Sequence, residues 1–293
     1  MSGRPSVLVT LDGVVRDPGQ PLLFADDLAA VRGDGVFETL LVRDGRACLV
    51  EPHLRRLVGS AAMMDLPEPD LPAWRRAIGV AAAQWAAQTA DEGALRLVYS
   101  RGRESRSPHT AYLMISPLAP RVNAARREGV SAAILDRGIA ATGVESMPWL
   151  LAGAKTLSYA VNMAALRHAA QRGADDVIFV SSDGYILEGP RSTVVIAVPG
   201  AGGRGCLLTP PPWYPILRGT TQQALFEVAR DAGYDCDYQA IRPADLVAAQ
   251  GVWLVSSITL GARVHTLDGR PLAPAPLRAE MTALVEAAIL SDR

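Results

Sequence analysis

Lysine is almost absent from this 293-residue chain. Lysine and arginine together number 29, of which 28 are arginine, so Lys155 is the sole lysine. Against 30 acidic residues the net charge is −1, which leaves no basic footprint for nucleic acid and no polybasic patch for a membrane surface. Cysteine is scarce too. Cys48, Cys206 and Cys236 are odd in number and widely spaced, which excludes a disulfide framework or a metal quartet and points to unpaired thiols in a reducing, cytoplasmic compartment. Long apolar runs are missing: charges interrupt the alanine-rich stretches before membrane-spanning length. The N-terminal residues show neither an apolar core nor a cleavage site, so no signal peptide is expected. Hydrophobic residues make up 49% of the chain, enough to bury a sizeable core in one large or two medium domains.

The one lysine stands in Leu151-Ala152-Gly153-Ala154-Lys155-Thr156-Leu157-Ser158-Tyr159. Arginine stays charged, with a pKa above about 12. A lysine amine becomes a neutral nucleophile when burial or a neighbouring positive charge lowers its pKa, as Schiff-base chemistry requires. A surface lysine that survived by chance is the plain alternative, and the small apolar flanks argue against it. Glu188 is the second group. Asp183-Gly184, between apolar runs at 176–180 and 185–187, reads as a hairpin turn that carries Glu188 to a strand end beside Gly189-Pro190. Alone it is a solvated turn residue. Together with Lys155 it gains a role: in a pyridoxal phosphate enzyme a lysine holds the aldehyde, and a carboxylate on the pyridinium nitrogen keeps the ring an electron sink.

Residues 6–11 alternate as a strand, and 37–42 with 46–50 flank Asp44-Gly45 as a hairpin. Pro52 opens a helix to about Met64, and 71–89 is a long amphipathic helix. Strands at 94–100 and 110–116 enclose the polar loop 101–108. Further on, 130–135, 177–180, 185–187, 193–198 and 252–256 read as strands, and 155–171, 219–232 and 276–290 as helices. The irregular mixture indicates an α+β fold, with an N-terminal domain over 1–117, a linker at 117–121 and a C-terminal domain over 121–293 that carries Lys155. Gly200-Ala201-Gly202-Gly203-Arg204-Gly205 matches the dinucleotide fingerprint letter for letter. A short strand ending in prolines follows where the fingerprint needs a helix, so a hairpin loop is expected.

Six segments stand in order: Gly33-Asp34-Gly35-Val36-Phe37-Glu38-Thr39, Glu51-Pro52-His53-Leu54-Arg55-Arg56-Leu57, the Lys155 stretch, Glu188-Gly189, Pro215-Ile216-Leu217-Arg218-Gly219-Thr220-Thr221, and Asp268-Gly269 after Val264. In these the chain resembles the fold-type IV pyridoxal-phosphate enzymes, the class-IV aminotransferase family that includes branched-chain and D-amino-acid aminotransferases and 4-amino-4-deoxychorismate lyases. The resemblance implies a smaller N-terminal α/β domain and a larger C-terminal one with a β-barrel-like core. It also implies pyridoxal 5′-phosphate as cofactor, a small-molecule substrate, and a homodimer with sites near the interface.

Residue by residue, the resemblance implies Lys155 as the lysine bonded to the cofactor, Glu188 at the ring nitrogen and Arg56 as the phosphate clamp, with His53 structural and Arg55 solvated. Gly219, Thr220 and Thr221 would turn helix amides and hydroxyls toward the phosphate, although an N-cap threonine explains them locally as well. Ser192 and Thr193 belong to the cofactor site; Thr193 replaces the family's asparagine and supplies one contact where the amide supplies two. Ser257 would serve the phosphate and Thr259 the substrate. Arg101 resembles a substrate-carboxylate arginine, with a solvated loop arginine as the equal alternative.

Phe37-Glu38-Thr39 resembles the lyase pattern more than the aminotransferase one. This implies Thr39 as a proton-relay hydroxyl, or else a plain strand threonine. The implied reaction removes a proton from the amine-bearing ring carbon of 4-amino-4-deoxychorismate through Lys155 and expels pyruvate, leaving 4-aminobenzoate for folate synthesis. The alternative is a D-amino-acid or branched-chain aminotransferase using 2-oxoglutarate, since pocket contacts choose between them. A binding scaffold without turnover is a third reading, opposed by the joint presence of Lys155, Glu188 and Arg56.

Overall fold

The computed structural model describes residues 5–105, 109–200 and 204–291. The glycine-rich run at 200–205 and the polar loop at 101–108 lie partly outside the described residues. The chain forms two compact units: residues 5–119 with Ala154–Tyr159, and Pro120–Gly153 with Ala160–Ser291. Lys155 therefore belongs to the first unit, whereas the sequence placed it with residues 121–293.

The first unit runs β1 (Val7–Thr10), β2 (Val15–Arg16), α1 (Leu28–Val31), β3 (Gly35–Arg43), β4 (Arg46–Ala47), α2 (Val50–Met63), α3 (Leu71–Ala86), β5 (Gly93–Ser100) and β6 (Thr110–Pro117). Its strands pair antiparallel in the order β2-β1-β6-β5-β3-β4. Asp44 and Gly45, at φ 50° and 71°, make the two-residue turn whose twist suits the β3–β4 hairpin. On β5, buried Leu95 and Leu97 flank exposed Arg96, the period of two of a half-covered strand. Leu54, Leu57 and Ala61 of α2 join Trp74, Ile78, Ala81 and Trp85 of α3 in one core with the sheet. Each such Leu or Ile contributes about 1.5–3 kcal/mol on burial, so packing rather than propensity fixes the helices. α3 also begins on a cap, the Asp70 carboxylate accepting the Ala73 amide at 3.0 Å.

The second unit runs α4 (Pro120–Glu128), β7 (Val130–Asp136), α5 (Ala160–Gln171), β8 (Asp176–Val180), β9 (Thr193–Val198), β10 (Cys206–Thr209), α6 (Thr220–Asp231), β11 (Asp235–Tyr238), α7 (Pro243–Ala248), β12 (Gly251–Ser256), β13 (Leu260–Leu267), β14 (Arg270–Pro271) and α8 (Arg278–Ile289). The mixed sheet has the order β11-β10-β9-β12-β13-β7-β8, with β14 on β13. Val194–Ala197 and Val252–Val255 are buried throughout, so the central strands β9 and β12 read as unbroken apolar runs.

Three differences from the sequence reading have local causes. The helix expected from Lys155 begins at Ala160, because residues 154–159 are not helical and bridge to β3 through Thr156 and Val36. Residues 185–187 make a single bridge, Val180 to Ile186, since the chain turns at Ser181–Tyr185 and again at Gly189–Ser192. α4 begins at Pro120, inside the stretch read as a linker; a proline ring suits the first turn of a helix.

Candidate active site

In the first unit Lys155 is gripped by its backbone. Its amide donates to Ser60 Oγ of α2 at 3.0 Å. Its carbonyl accepts the Phe37 amide of β3 at 3.0 Å, and the Leu157 amide donates to the Gly35 carbonyl at 2.8 Å. This close approach explains Gly33-Asp34-Gly35. A Cβ on Gly35 would lie 2.7 Å from Ser100 Cβ and 2.8 Å from Leu157 Cδ1, and one on Gly33, at φ +67°, would lie 2.8 Å from Ser158 Oγ. The Lys155 Nζ sits 4.5 Å from the Phe37 ring centroid and 5.7 Å from that of Tyr159. The two rings meet edge to face at 5.4 Å. Strand alternation puts Thr39 on the Phe37 face of β3.

Glu38 faces the other way and is fully buried. Its carboxylate accepts Arg56 Nε and Nη2 at 2.7 Å each, and His53 Nδ1 lies 2.7 Å from Oε2. Burial would push the Glu38 carboxyl up, but the Arg56 guanidinium and then His53 outweigh it and hold Glu38 well below the usual carboxylate range. Burial pushes the His53 imidazole down, and the Glu38 charge offsets this only in part. His53 is thus a neutral partner of the pair, in keeping with the structural role read from the sequence.

Arg101 lies apart from this cluster. Its Nε and Nη2 donate to the Asp34 carboxylate at 2.8 and 3.3 Å, and Nη2 and Nη1 reach the Met64 and Asp65 carbonyls at 2.7 and 3.4 Å. These carbonyls end α2, where a cation is favoured by the helix dipole. A substrate carboxylate would compete with Asp34 for this guanidinium.

In the second unit Glu188 is anchored at both ends. Its carbonyl accepts the Phe179 amide at 2.8 Å, and its Oε2 accepts the Leu217 amide at 3.0 Å. Leu217 leads through Arg218 to Gly219, the residue before α6. Gly219 offers no side-chain cap. The first turn of α6 therefore starts without an N-cap side chain, an arrangement compatible with an anion. Thr193 is packed against this turn, since a Cβ on Gly219 would lie 2.2 Å from Thr193 Oγ1. Thr221 Oγ1 meets Ser257 Oγ at 3.2 Å, and Thr259 pairs with Ser256 in the turn after β12. Arg126 holds that turn through the Ile258 carbonyl at 3.1 Å. Ser192 closes the tight turn after Glu188, and its buried Oγ has no hydrogen-bond partner among the described residues. Asn162 of α5 donates to the Pro190 carbonyl of the same turn at 2.7 Å.

Lys155, Thr39 and Arg56 thus share the first unit with Phe37, Glu38, Ser60 and Tyr159; Glu188, Ser192, Thr193, Gly219, Thr220, Thr221, Ser257 and Thr259 share the second. Taken unit by unit, the groups fit a phosphorylated pyridoxal: the first unit sets an amine against aromatic rings, and the second has a carboxylate fixed by an amide, a helix start with hydroxyls and an unpartnered buried hydroxyl. No group of three or more potential metal ligands occurs among the described residues. Ser60, Asn162 and Tyr159 escaped the sequence reading, because a serine in a helix and an aromatic after a loop carry no pattern of their own.

A mixed α+β fold with these groups defines the class: the chain belongs to the class IV amino-transferase family, whose model matches residues 35–267. A relative from Mycobacterium tuberculosis, a bifunctional aminodeoxychorismate lyase / D-amino acid transaminase, is 72% identical over 98% of this chain and 100% of its own length. The structure of a hypothetical aminotransferase from Mycobacterium tuberculosis in its PLP-bound form is 71% identical, with a TM-score of 0.95 over 99% of this chain and 100% of that one. The 4-amino-4-deoxychorismate lyase of Pseudomonas aeruginosa, at 23% identity, shares the fold with a TM-score of 0.75 over 97% and 98% of the two chains.

Proposed function

We propose that this chain is a pyridoxal-phosphate enzyme that converts 4-amino-4-deoxychorismate to 4-aminobenzoate and pyruvate, with D-amino-acid transamination as a second activity. The carrying observation is the sole lysine of the chain, held by its backbone between α2 and β3 with its amine against Phe37 and Tyr159. The Mycobacterium tuberculosis relative, named for both reactions, supports the choice of substrates. When bound, pyridoxal phosphate supplies an electron sink for charge developing at the carbon that bears the substrate amine.

The protein's own groups do the rest. Lys155 would hold the cofactor through its Nζ, and that amine would take the proton from the amine-bearing ring carbon of the substrate. Thr39, on the Phe37 face, relays protons. With that proton gone, the carbon–oxygen bond to the side chain breaks and the ring becomes aromatic, and the departing enolpyruvate takes up a proton to become pyruvate. Glu188 keeps the ring nitrogen protonated, its carboxylate fixed by the Leu217 amide. In the first unit Arg56 would serve the phosphate; in the second Gly219, Thr220, Thr221 and Ser257 would do so, with Ser192 and Thr193 shaping the turn next to Gly219. Thr259 and Arg101 serve the substrate, Arg101 by exchanging Asp34 for a carboxylate. The reading includes a homodimer in the cytoplasm. Exposed Trp149, Val161 and Met163 of the second unit support a covered surface.

The test offers the purified protein 4-amino-4-deoxychorismate without any keto acid. Formation of 4-aminobenzoate and pyruvate over many turnovers supports the lyase reading. Product only from a D-amino acid with 2-oxoglutarate, with the chorismate derivative untouched, leaves the transaminase reading alone. The transaminase arm draws support from a structure of the Mycobacterium tuberculosis protein described as bound to alpha-ketoglutarate and PMP.

A further inference from the structure

Serine is a poor choice for a helix interior, because its hydroxyl competes for backbone hydrogen bonds. Ser60 nevertheless sits near the end of α2 at 2% exposure, in the stripe that also buries His53, Leu54, Leu57 and Ala61. A buried hydroxyl needs a partner, and this one takes its partner from outside the helix: the Lys155 amide, 3.0 Å from Ser60 Oγ. From the other side, β3 holds the Lys155 carbonyl through the Phe37 amide at 3.0 Å. Both peptide groups that flank the Lys155 Cα are therefore fixed, one by a helix and one by a strand.

Four residues before Ser60 on α2 is Arg56, on the same side of the helix. One rigid turn of about 6 Å thus separates the group that anchors Lys155 from the group that reaches Glu38. The next residue of β3 after Phe37 is Glu38 itself. α2 and β3 each carry one anchor for Lys155 and one member of the Arg56 pair.

We propose that Ser60 is a positioning residue for Lys155: its hydroxyl sets the lysine backbone at a fixed distance from Arg56, so that the amine meets the cofactor aldehyde when Arg56 holds the phosphate. The inference rests on the reading that Lys155 bonds the cofactor and Arg56 clamps it. Alanine at 60 leaves the Lys155 amide without its acceptor and frees the segment 154–159 to drift from α2, whereas Arg56, held by Glu38, stays in place.

The experiment separates the bond from the clamp. Apo-protein is mixed with pyridoxal phosphate, and covalent attachment to Lys155 is followed by absorbance and fixed by borohydride. Affinity for pyridoxamine phosphate, which cannot bond the lysine, is measured in parallel. Ser60→Ala is expected to slow attachment at least tenfold while pyridoxamine phosphate affinity stays within threefold. Ser60→Thr, which keeps the oxygen, should recover most of the rate. If Ser60→Ala does not fold, amide hydrogen exchange on the wild-type chain reads the same contact: the Lys155 amide should be as protected as those of Leu57 and Ala61. Attachment within twofold of wild type in Ser60→Ala, a parallel fall of attachment rate and pyridoxamine phosphate affinity, or an unprotected Lys155 amide overturns the proposal. Borohydride label on the N-terminal amine instead of Lys155 in the wild type sinks the underlying reading, a separate result.

Discussion

Arg56 meets Glu38 edge to edge, its Nε and Nη2 each donating at 2.7 Å to a different oxygen of a carboxylate with no exposed surface. Such a fork fixes the plane of the guanidinium as well as its place. It also cancels the charge, so any anion held by Arg56 is bound by aimed N–H groups more than by a net positive field.

Removing one half of this pair leaves the other buried and uncompensated, which costs about 3–5 kcal/mol. Glu38→Ala should destabilise the apo-protein by that amount in urea unfolding and weaken cofactor binding about tenfold or more. Unchanged stability would show that Arg56 finds another partner at no cost.

His53 and Glu38 should both cost stability as the pH falls. Burial lowers His53, so below about pH 6.5 the unfolded chain takes up a proton that the folded chain refuses. Glu38, held low by Arg56 and His53 against the effect of burial, adds a loss of the same sign below about pH 4.3. The unfolding free energy should fall gently from pH 7 to 5 and more steeply in acid. His53→Asn should flatten the first arm; a profile that rises toward pH 5 contradicts the assignment.

Glu188→Gln keeps the shape of the turn and removes the charge. Cofactor should remain bound by dialysis, because the phosphate contacts survive, while kcat falls by about 10²–10³. Near-normal turnover removes Glu188 from the ring nitrogen.

Gly35→Ala tests the docking of the lysine segment. The added Cβ would stand 2.7 Å from Ser100 Cβ and 2.8 Å from Leu157 Cδ1, closer than neighbours tolerate. Overpacking of this kind costs about 1–3 kcal/mol. A lower melting temperature together with loss of borohydride label at Lys155 is expected; full labelling would mean that the segment can dock elsewhere.

The residues singled out in the sequence stood out because their types are improbable in context: a lone lysine between Ala154 and Thr156, a glutamate after Asp183-Gly184, two hydroxyls behind Gly219. The helices α2, α3 and α6 and the strands β1, β3, β4, β5 and β6 were legible from local pattern, whereas β2 was not. What escaped depended on tertiary pairing. Residues 154–159 have a sequence that could continue α5, and their backbone bonds to β3 and to Ser60 keep them out of the helix. Ser60 and Asn162 act through single hydrogen bonds to distant backbone, which leave no period and no motif. The strand β13 alternates in burial, yet Gly261 and Arg263 interrupt its apolar appearance.

One lysine in the whole chain means one ε-amine to observe. Reductive methylation with carbon-13 formaldehyde would give two resonances, one from the chain terminus and one from Lys155. The latter lies 4.5 Å from one ring centroid and 5.7 Å from another, so ring currents shift it away from the solvent-exposed position. The Lys155 amine can thus be titrated directly, without mutation and without an assigned spectrum.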